Sequence, residues 1–152
     1  MRVLEQKKIA YTAHTYPHEE GMAVDGVTVA KSMGFDPAIV FKTLVARGAS
    51  KQYYVFDVPV AENLDLKKAA KAVGEKSIEM IHQKELLPLT GYVHGGCSPV
   101  GMKKLFPTVF HETAENLETM IVSAGKIGYQ VELAPRDLAA LVRAKFADII
   151  VE

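Results

Sequence analysis

Between residues 41 and 74 the chain sets two β-rich runs and one capped amphipathic helix in direct succession. Residues 41–47 and 52–58 flank Gly48-Ala49-Ser50-Lys51, which predicts a hairpin with a loop of about four residues. Pro59 closes it. Asn63 or Asp65 then caps a helix in which Leu66, Ala69, Ala70 and Val73 recur at i, i+3, i+4 and i+7, and Gly74 stops it. Lys67, Lys68 and Lys71 fall on its outer face. A hairpin followed by a helix breaks strict βαβ alternation, so the fold class is α+β, with a mixed sheet flanked by helices.

The rest of the chain fits that class. Residues 2–9 predict a short amphipathic helix, and 11–16 a strand ended by Pro17. Residues 24–33 predict a helix stopped by Gly34, and Asp36-Pro37 a capped turn. A short strand is expected at 77–81 and a helix at 82–87 that Pro88 terminates. Strands follow at 108–112, 118–123 and 129–133, the last two separated by Gly125 and Gly128. Pro135 opens a final helix carrying Leu138, Leu141 and Val142. No repeat or linker divides the 152 residues, so a single domain spanning 1–152 is expected.

Composition excludes several classes. Apolar residues make up 49% and charged residues 24%, so neither a disordered tail nor a collagen-like fibre is expected. The one cysteine, Cys97, allows no internal disulfide and no zinc site with two thiolates from this chain. Eighteen basic residues balance eighteen acidic ones, which argues against binding nucleic acid by bulk charge alone. The N-terminal run turns charged before any apolar stretch forms, and no stretch approaches a membrane span. A cytoplasmic home is expected.

Chemistry-bearing residues are few. His14 and His18 stand four apart, but Pro17 lies between them, and His82, His94 and His111 are scattered, so no metal site is expected. Residues 91–101 hold four glycines, yet match neither G-x-G-x-x-G nor the P-loop pattern. Gly95-Gly96 lets main chain approach a ligand closely and offer bare N–H groups to a carbonyl or oxyanion; the plain alternative is a tight turn. Cys97, three residues after His94, is either a nucleophile or a small buried apolar group. Lys42 sits inside the apolar run Val40-Phe41-Lys42-Thr43-Leu44-Val45, as an edge gatekeeper or a functional cation.

Taken together, Tyr16-Pro17-His18, Val40-Phe41-Lys42-Thr43-Leu44, Leu64-Asp65-Leu66-Lys67-Lys68-Ala69-Ala70, Gly91-Tyr92-x-x-Gly95-Gly96-Cys97-Ser98-Pro99-x-Gly101-x-Lys103-Lys104 and Val122-Ser123-Ala124-Gly125-Lys126 resemble the YbaK/EbsC family in order over essentially the whole chain. This family comprises free-standing relatives of the editing domain inserted in bacterial prolyl-tRNA synthetase. The resemblance implies a single domain with a curved, partly barrel-like mixed sheet, and a trans-acting aminoacyl-tRNA deacylase. Cysteinyl-tRNA(Pro) is the expected substrate, as in the YbaK branch; the alternatives are another mischarged tRNA such as alanyl-tRNA(Pro), or a non-catalytic module that binds aminoacyl-tRNA or a synthetase. The resemblance further implies no metal and no organic cofactor, mischarged tRNA(Pro) as the partner, and prolyl-tRNA synthetase as a second candidate partner; the oligomeric state is left open, with a monomer favoured. Carried over by residue, Lys42 matches the family's characteristic lysine, and Gly95 and Gly96 match the loop that holds the aminoacyl ester. Tyr16, Thr43, Ser98, Pro99, Ser123 and Gly125 match positions that line or shape the pocket. Two positions depart: Ile127 stands where an arginine is expected and Gln130 where an aspartate is, which bears on amino-acid specificity. Lys67, Lys68, Lys71, Lys103 and Lys104 are either a basic rim for the acceptor stem or ordinary solvated charge.

Overall fold

The computed structural model describes residues 2–16, 26–94 and 96–151. The elements run α1 (Arg2–Gln6), β1 (Tyr11–Thr15), α2 (Gly26–Ser32), a 3-10 turn (Pro37–Ile39), β2 (Phe41–Gly48), β3 (Tyr53–Pro59), α3 (Leu66–Val73), β4 (Ile78–Met80), α4 (Gln83–Thr90), β5 (Thr108–His111), a second 3-10 turn (Glu112–Asn116), β6 (Met120–Lys126), β7 (Tyr129–Leu133), α5 (Pro135–Val142) and β8 (Lys145–Ala147).

The strands form two sheets rather than the one expected. One is antiparallel with order β1-β7-β6; the other has order β4-β2-β3-β5-β8. In the second, β2 pairs antiparallel with β3 and β4, whereas β3–β5 and β5–β8 are parallel. An isolated parallel bridge between Val40 and Ile121 joins the sheets without closing a barrel. The α+β class stands, and that junction positions the site.

Local chemistry accounts for the secure elements. The Asp65 carboxylate accepts from Lys67 N and Lys68 N at 2.9 and 3.0 Å, which satisfies the first turn of α3, and Gly74 ends the helix. Asp36 likewise accepts from Ala38 N at 2.9 Å. Strand alternation then divides the five-stranded sheet. One face carries Ala46, Tyr54, Phe56, Val58 and Val109 and packs on Ala69 and Ala70 of α3. The other carries Phe41, Val45, Val55 and Phe110. It packs on Met120, Val122 and Leu138 near one end and on Cys97 and Phe106 at the other.

Several boundaries differ from expectation. Helix α4 continues through Pro88 to Thr90. The bond Pro88 cannot donate is lost near the C-terminal end, and the residue is exposed, so the cost of a mid-helix proline is softened. Strand β6 runs on through Gly125 to Lys126, with a bulge between Ser123 and Lys126 instead of a stop. Helix α1 ends at Gln6, and β4 is shorter than predicted. Strand β8 was not foreseen. Pro17, His18 and Gly95, which the sequence singles out, lie outside the described residues.

Candidate functional site

The Val40–Ile121 bridge orders the site. Both side chains are fully buried and pack with Ala30 of α2. Beyond the bridge β2 and β6 remain neighbours. Two residues further along each strand stand Lys42 and Ser123, which alternation returns to the same side as Val40 and Ile121. Ser123 is the register partner of Gln130 on β7, and Gln130 is the partner of His14 on β1. Tyr16 follows His14 at the same parity and is buried, its main-chain N–H donating to Gly128 O at 3.0 Å. Lys42, Ser123, Gln130, His14 and Tyr16 thus share one side of the junction.

The polar groups there are unevenly satisfied. His14 Nε2 lies 2.9 Å from Glu132 Oε1 and its ring meets Phe35 edge-on, with centroids 4.7 Å apart. The Thr119 hydroxyl first, and His14 after it, hold Glu132 below the usual carboxylate range against partial burial. Gln130 is buried, and among the described residues its Oε1 has no hydrogen-bond partner. His14, Ala124, Lys126, Tyr129 and Gln130 line a surface hollow at this end of the sheet.

The glycine segment reaches the site edgewise, through the β6–β7 turn. A Cβ on Gly96 would stand 3.2 Å from Ile127 N and 3.3 Å from Lys126 Cα, so a side chain there would press the two segments apart by a few tenths of an ångström. Tyr92 wedges between Gly101 and Gly125 and donates its hydroxyl to Val100 O. Gly125 has φ +100°, and a Cβ there would sit 2.7 Å from the Tyr92 ring. A Gly125→Ala variant is therefore expected to lose about 2–4 kcal/mol of stability, from the backbone conformation and the overlap together. Urea unfolding measures it, and a loss comparable to an ordinary surface change would mean that the ring yields freely.

The structure does not bring every sequence-predicted residue to that side. Thr43 points to the opposite face of β2, where its hydroxyl donates to Asp57 Oδ1 at 2.5 Å. Ser98 is fully buried and its Oγ accepts from Val100 N at 3.2 Å. Pro99 is buried beside an apolar hollow lined by Val3, Val55, Met102 and Phe106. These three residues face the interior that supports the loop. Lys42 and the Cys97–Val100 segment lie on opposite faces of β2, linked through Ser123, the β6–β7 turn and Gly96.

The surroundings of Cys97 and of the lysines bear on the alternatives that the sequence leaves open. Cys97 is buried, and burial first, then the charge of Asp57, pushes its thiol up to about 12. A thiol held that high supplies almost no thiolate at neutral pH, which opposes a nucleophilic role. The five lysines of the supposed rim are divided. Lys67, Lys68 and Lys71 ride on α3 against one face of the five-stranded sheet, and Lys103 and Lys104 flank the loop on the other. Lys68 is also tied to Asp148 Oδ2 at 3.0 Å and Ile150 O at 2.9 Å. They do not form one continuous rim.

Sequence reasoning missed Asp57 altogether. It is fully buried on β3, bonded by Thr43, and among the described residues its Oδ2 has no partner. Burial pushes its carboxyl up to about 7, with the Thr43 bond pulling the other way. An acidic residue in an otherwise apolar strand run, Tyr53-Tyr54-Val55-Phe56-Asp57-Val58, was the available signal.

Residues 18–141 match the family model of the aminoacyl-tRNA editing domain. The chain belongs to this family. It is 45% identical over 149 residues, 98% of this chain and 90% of the relative, to EbsC of Enterococcus faecalis, a proposed Cys-tRNA(Pro)/Cys-tRNA(Cys) deacylase. A solved structure described as a proposed trans-editing enzyme for prolyl tRNA synthetase superposes with a TM-score of 0.81 at 24% identity, covering 98% of this chain and 92% of that one. A scaffold used for epitope grafting superposes with a TM-score of 0.85 at 25% identity, over 98% and 92% of the two chains. In this member of the editing-domain family, the matched segment holds β2, the glycine loop and the β6–β7 turn. Among the described residues no helix is long and apolar enough to cross a membrane.

Proposed function

We propose that this protein is a trans-acting aminoacyl-tRNA deacylase, that its site is the sheet junction, and that cysteinyl-tRNA(Pro) is its principal substrate. The single observation that carries the placement is the shared side of Lys42 and Ser123 beyond the Val40–Ile121 bridge, with Gly96 packed on the adjoining turn. The 45% identity to a proposed Cys-tRNA(Pro)/Cys-tRNA(Cys) deacylase supports the substrate class.

The substrate is an ester between an amino acid and a ribose hydroxyl. Cleavage needs a nucleophile, stabilisation of negative charge on the carbonyl oxygen, and a proton for the leaving ribose oxygen. Among the described residues no Ser-His-Asp triad is assembled at the junction; the attacking group in this proposal is the substrate cysteine's own thiol, the substrate-assisted chemistry that the family resemblance implies. Its sulfur bonds to the carbonyl carbon, the carbon–ribose oxygen bond breaks, the ribose oxygen takes the proton, and a thiolactone leaves. The protein's part is positioning. Lys42 supplies positive charge to the ester oxygen or the terminal adenosine phosphate. The Gly96 N–H already donates to Val93 O at 3.0 Å, so it is not the bare donor expected from the sequence, and Gly96 offers its carbonyl oxygen to the α-amino group, with Gly95 preceding it in the motif. Tyr16 and Ser123 line the pocket, while Thr43, Ser98, Pro99 and Gly125 hold its walls. Selectivity for the tRNA body comes from a partner, for which prolyl-tRNA synthetase is the candidate.

Deacylation of cysteinyl-, alanyl- and prolyl-tRNA(Pro) side by side tests this. Self-attack predicts that the cysteinyl ester is cleaved about 10²-fold or more faster than the alanyl ester, because alanine has no thiol and loses the intramolecular advantage. Gln130, a neutral amide with an orphaned oxygen where an aspartate was expected, favours a second reading in which alanyl-tRNA(Pro) is the substrate. Equal cleavage of both esters would replace self-attack by water attack. No cleavage of any ester would leave a binding module.

A further inference from the structure

We propose that Asp57 is a positioning residue for this site: through its place beneath the loop and its bond from Thr43, its protonation state sets how the Gly96–Val100 segment packs on the sheet. This rests on the deacylation reading above. Asp57 and Thr43 are register partners on the two central strands, and Thr43 directly follows Lys42 in β2. Asp57 faces the side on which Val45 and Val55 pack against Cys97, and its charge acts on the Cys97 thiol. Residues 96–100 are all buried over that face.

The surroundings offer the carboxyl little else. The neighbours on that face are Thr43 of β2 and Phe110 of β5, the latter in register with Asp57. Among the described residues, the ionisable groups on that side are Cys97 on the loop, Tyr92 ahead of it, Lys103 and Lys104 after it, Tyr11 of β1, and Tyr53 at the far end of β3. Arg47 also lies on this side of β2, at its far end, and pairs with Glu79 at 2.7 Å. Only burial and the Thr43 bond move Asp57's own titration. As the neutral acid, Asp57 keeps the Thr43 bond and carries no charge. Ionised, its Oδ2 becomes a buried anionic oxygen with no donor among the described residues. Ionisation therefore draws water or loop N–H groups toward Oδ2 and loosens the loop that Gly96 seats on the β6–β7 turn.

Two measurements on the whole protein test this, each as a ratio of wild type to Asp57→Asn at the same pH. Asparagine keeps the acceptor for Thr43 and cannot ionise. The first is the labelling rate of Cys97, the only thiol in the chain, with an aromatic disulfide reagent. Wild type and variant label alike at about pH 6; at about pH 8.5 the charge of Asp57 disfavours the thiolate in wild type, yet wild type labels about tenfold faster because exposure of the sulfur by the loosened loop outweighs it. The second is the single-turnover deacylation rate of cysteinyl-tRNA(Pro), whose ratio falls at least about threefold over the same interval. Thr43→Val, which removes the bond that lowers the Asp57 titration, moves the labelling crossover to higher pH. Flat ratios in an active wild type overturn the Asp57 role and leave the deacylase assignment intact. A wild type inactive on every charged tRNA, with a labelling crossover still present, overturns the deacylase assignment and leaves the Asp57–loop coupling standing.

Discussion

Replacing Lys42 by alanine is expected to lower the single-turnover rate of cysteinyl-tRNA(Pro) deacylation by about 10²–10³ without unfolding the protein. That is the usual cost of removing one preorganised electrostatic group from a reacting centre. Lys42 is half-buried, so its ammonium acts where the screening of bulk water is reduced. The backbone of β2 is held by pairing along both edges, to β3 and β4, and by Phe41 and Val45 in the core, so loss of the side chain leaves the strand in place. A Lys42→Arg variant keeps the charge but changes its shape and reach, and is expected to recover only part of the rate. Circular dichroism and the melting midpoint, measured alongside, separate a chemical loss from a folding loss. Activity within about threefold of wild type would remove Lys42 from the proposed centre, since the expected effect is far larger.

How much of this was legible in the chain follows from how local each cause is. Asp65, the Leu66–Val73 periodicity and Gly74 lie within ten residues, so α3 was read correctly down to its cap. The β2–β3 hairpin was likewise visible, because one short loop fixes its register. Helix α4 was cut short at Pro88 because a proline signals a stop. Nothing nearby shows that only the last turn is affected, nor that Lys103 lies 3.5 Å from the Pro88 carbonyl. How the two sheets meet depends on the Val40–Ile121 bridge, across eighty-one positions of sequence, and no periodicity reveals such a pairing. The same bridge decides that Lys42 and Ser123 share a side and that Thr43 does not. The motifs could therefore name the participants and not their faces. Tyr92, Gly101 and Gly125 make sense only once the ring is seen wedged between the two glycines. Asp57 went unread because a strand pattern assigns a residue to a face without saying what lies above it.

Asp57 also carries the second large effect, on stability rather than rate. Its folded titration near 7 lies above the ordinary 3.8, so between those values the folded protein binds the extra proton. A group raised in this way contributes stability that is fully present below about pH 4 and is lost as pH rises through about 7. The full contribution is about 4 kcal/mol. Glu75, Glu132 and Asp148 act in the opposite sense: hydrogen bonds to Ser50, Thr119 and Lys68 respectively hold them low, so their contributions disappear as pH falls. The wild-type pH profile mixes both kinds of group, but the difference between wild type and Asp57→Asn isolates one. Measured by urea unfolding, the stability of the variant relative to wild type should rise by about 2–4 kcal/mol from pH 4.5 to 8.5, with most of the change below about pH 7. A difference of the same size at both ends would mean that the Asp57 carboxylate finds donors for Oδ2 in the folded state. The buried anion invoked to loosen the loop would then not exist, so this equilibrium measurement bears on the positioning role without any tRNA in the experiment.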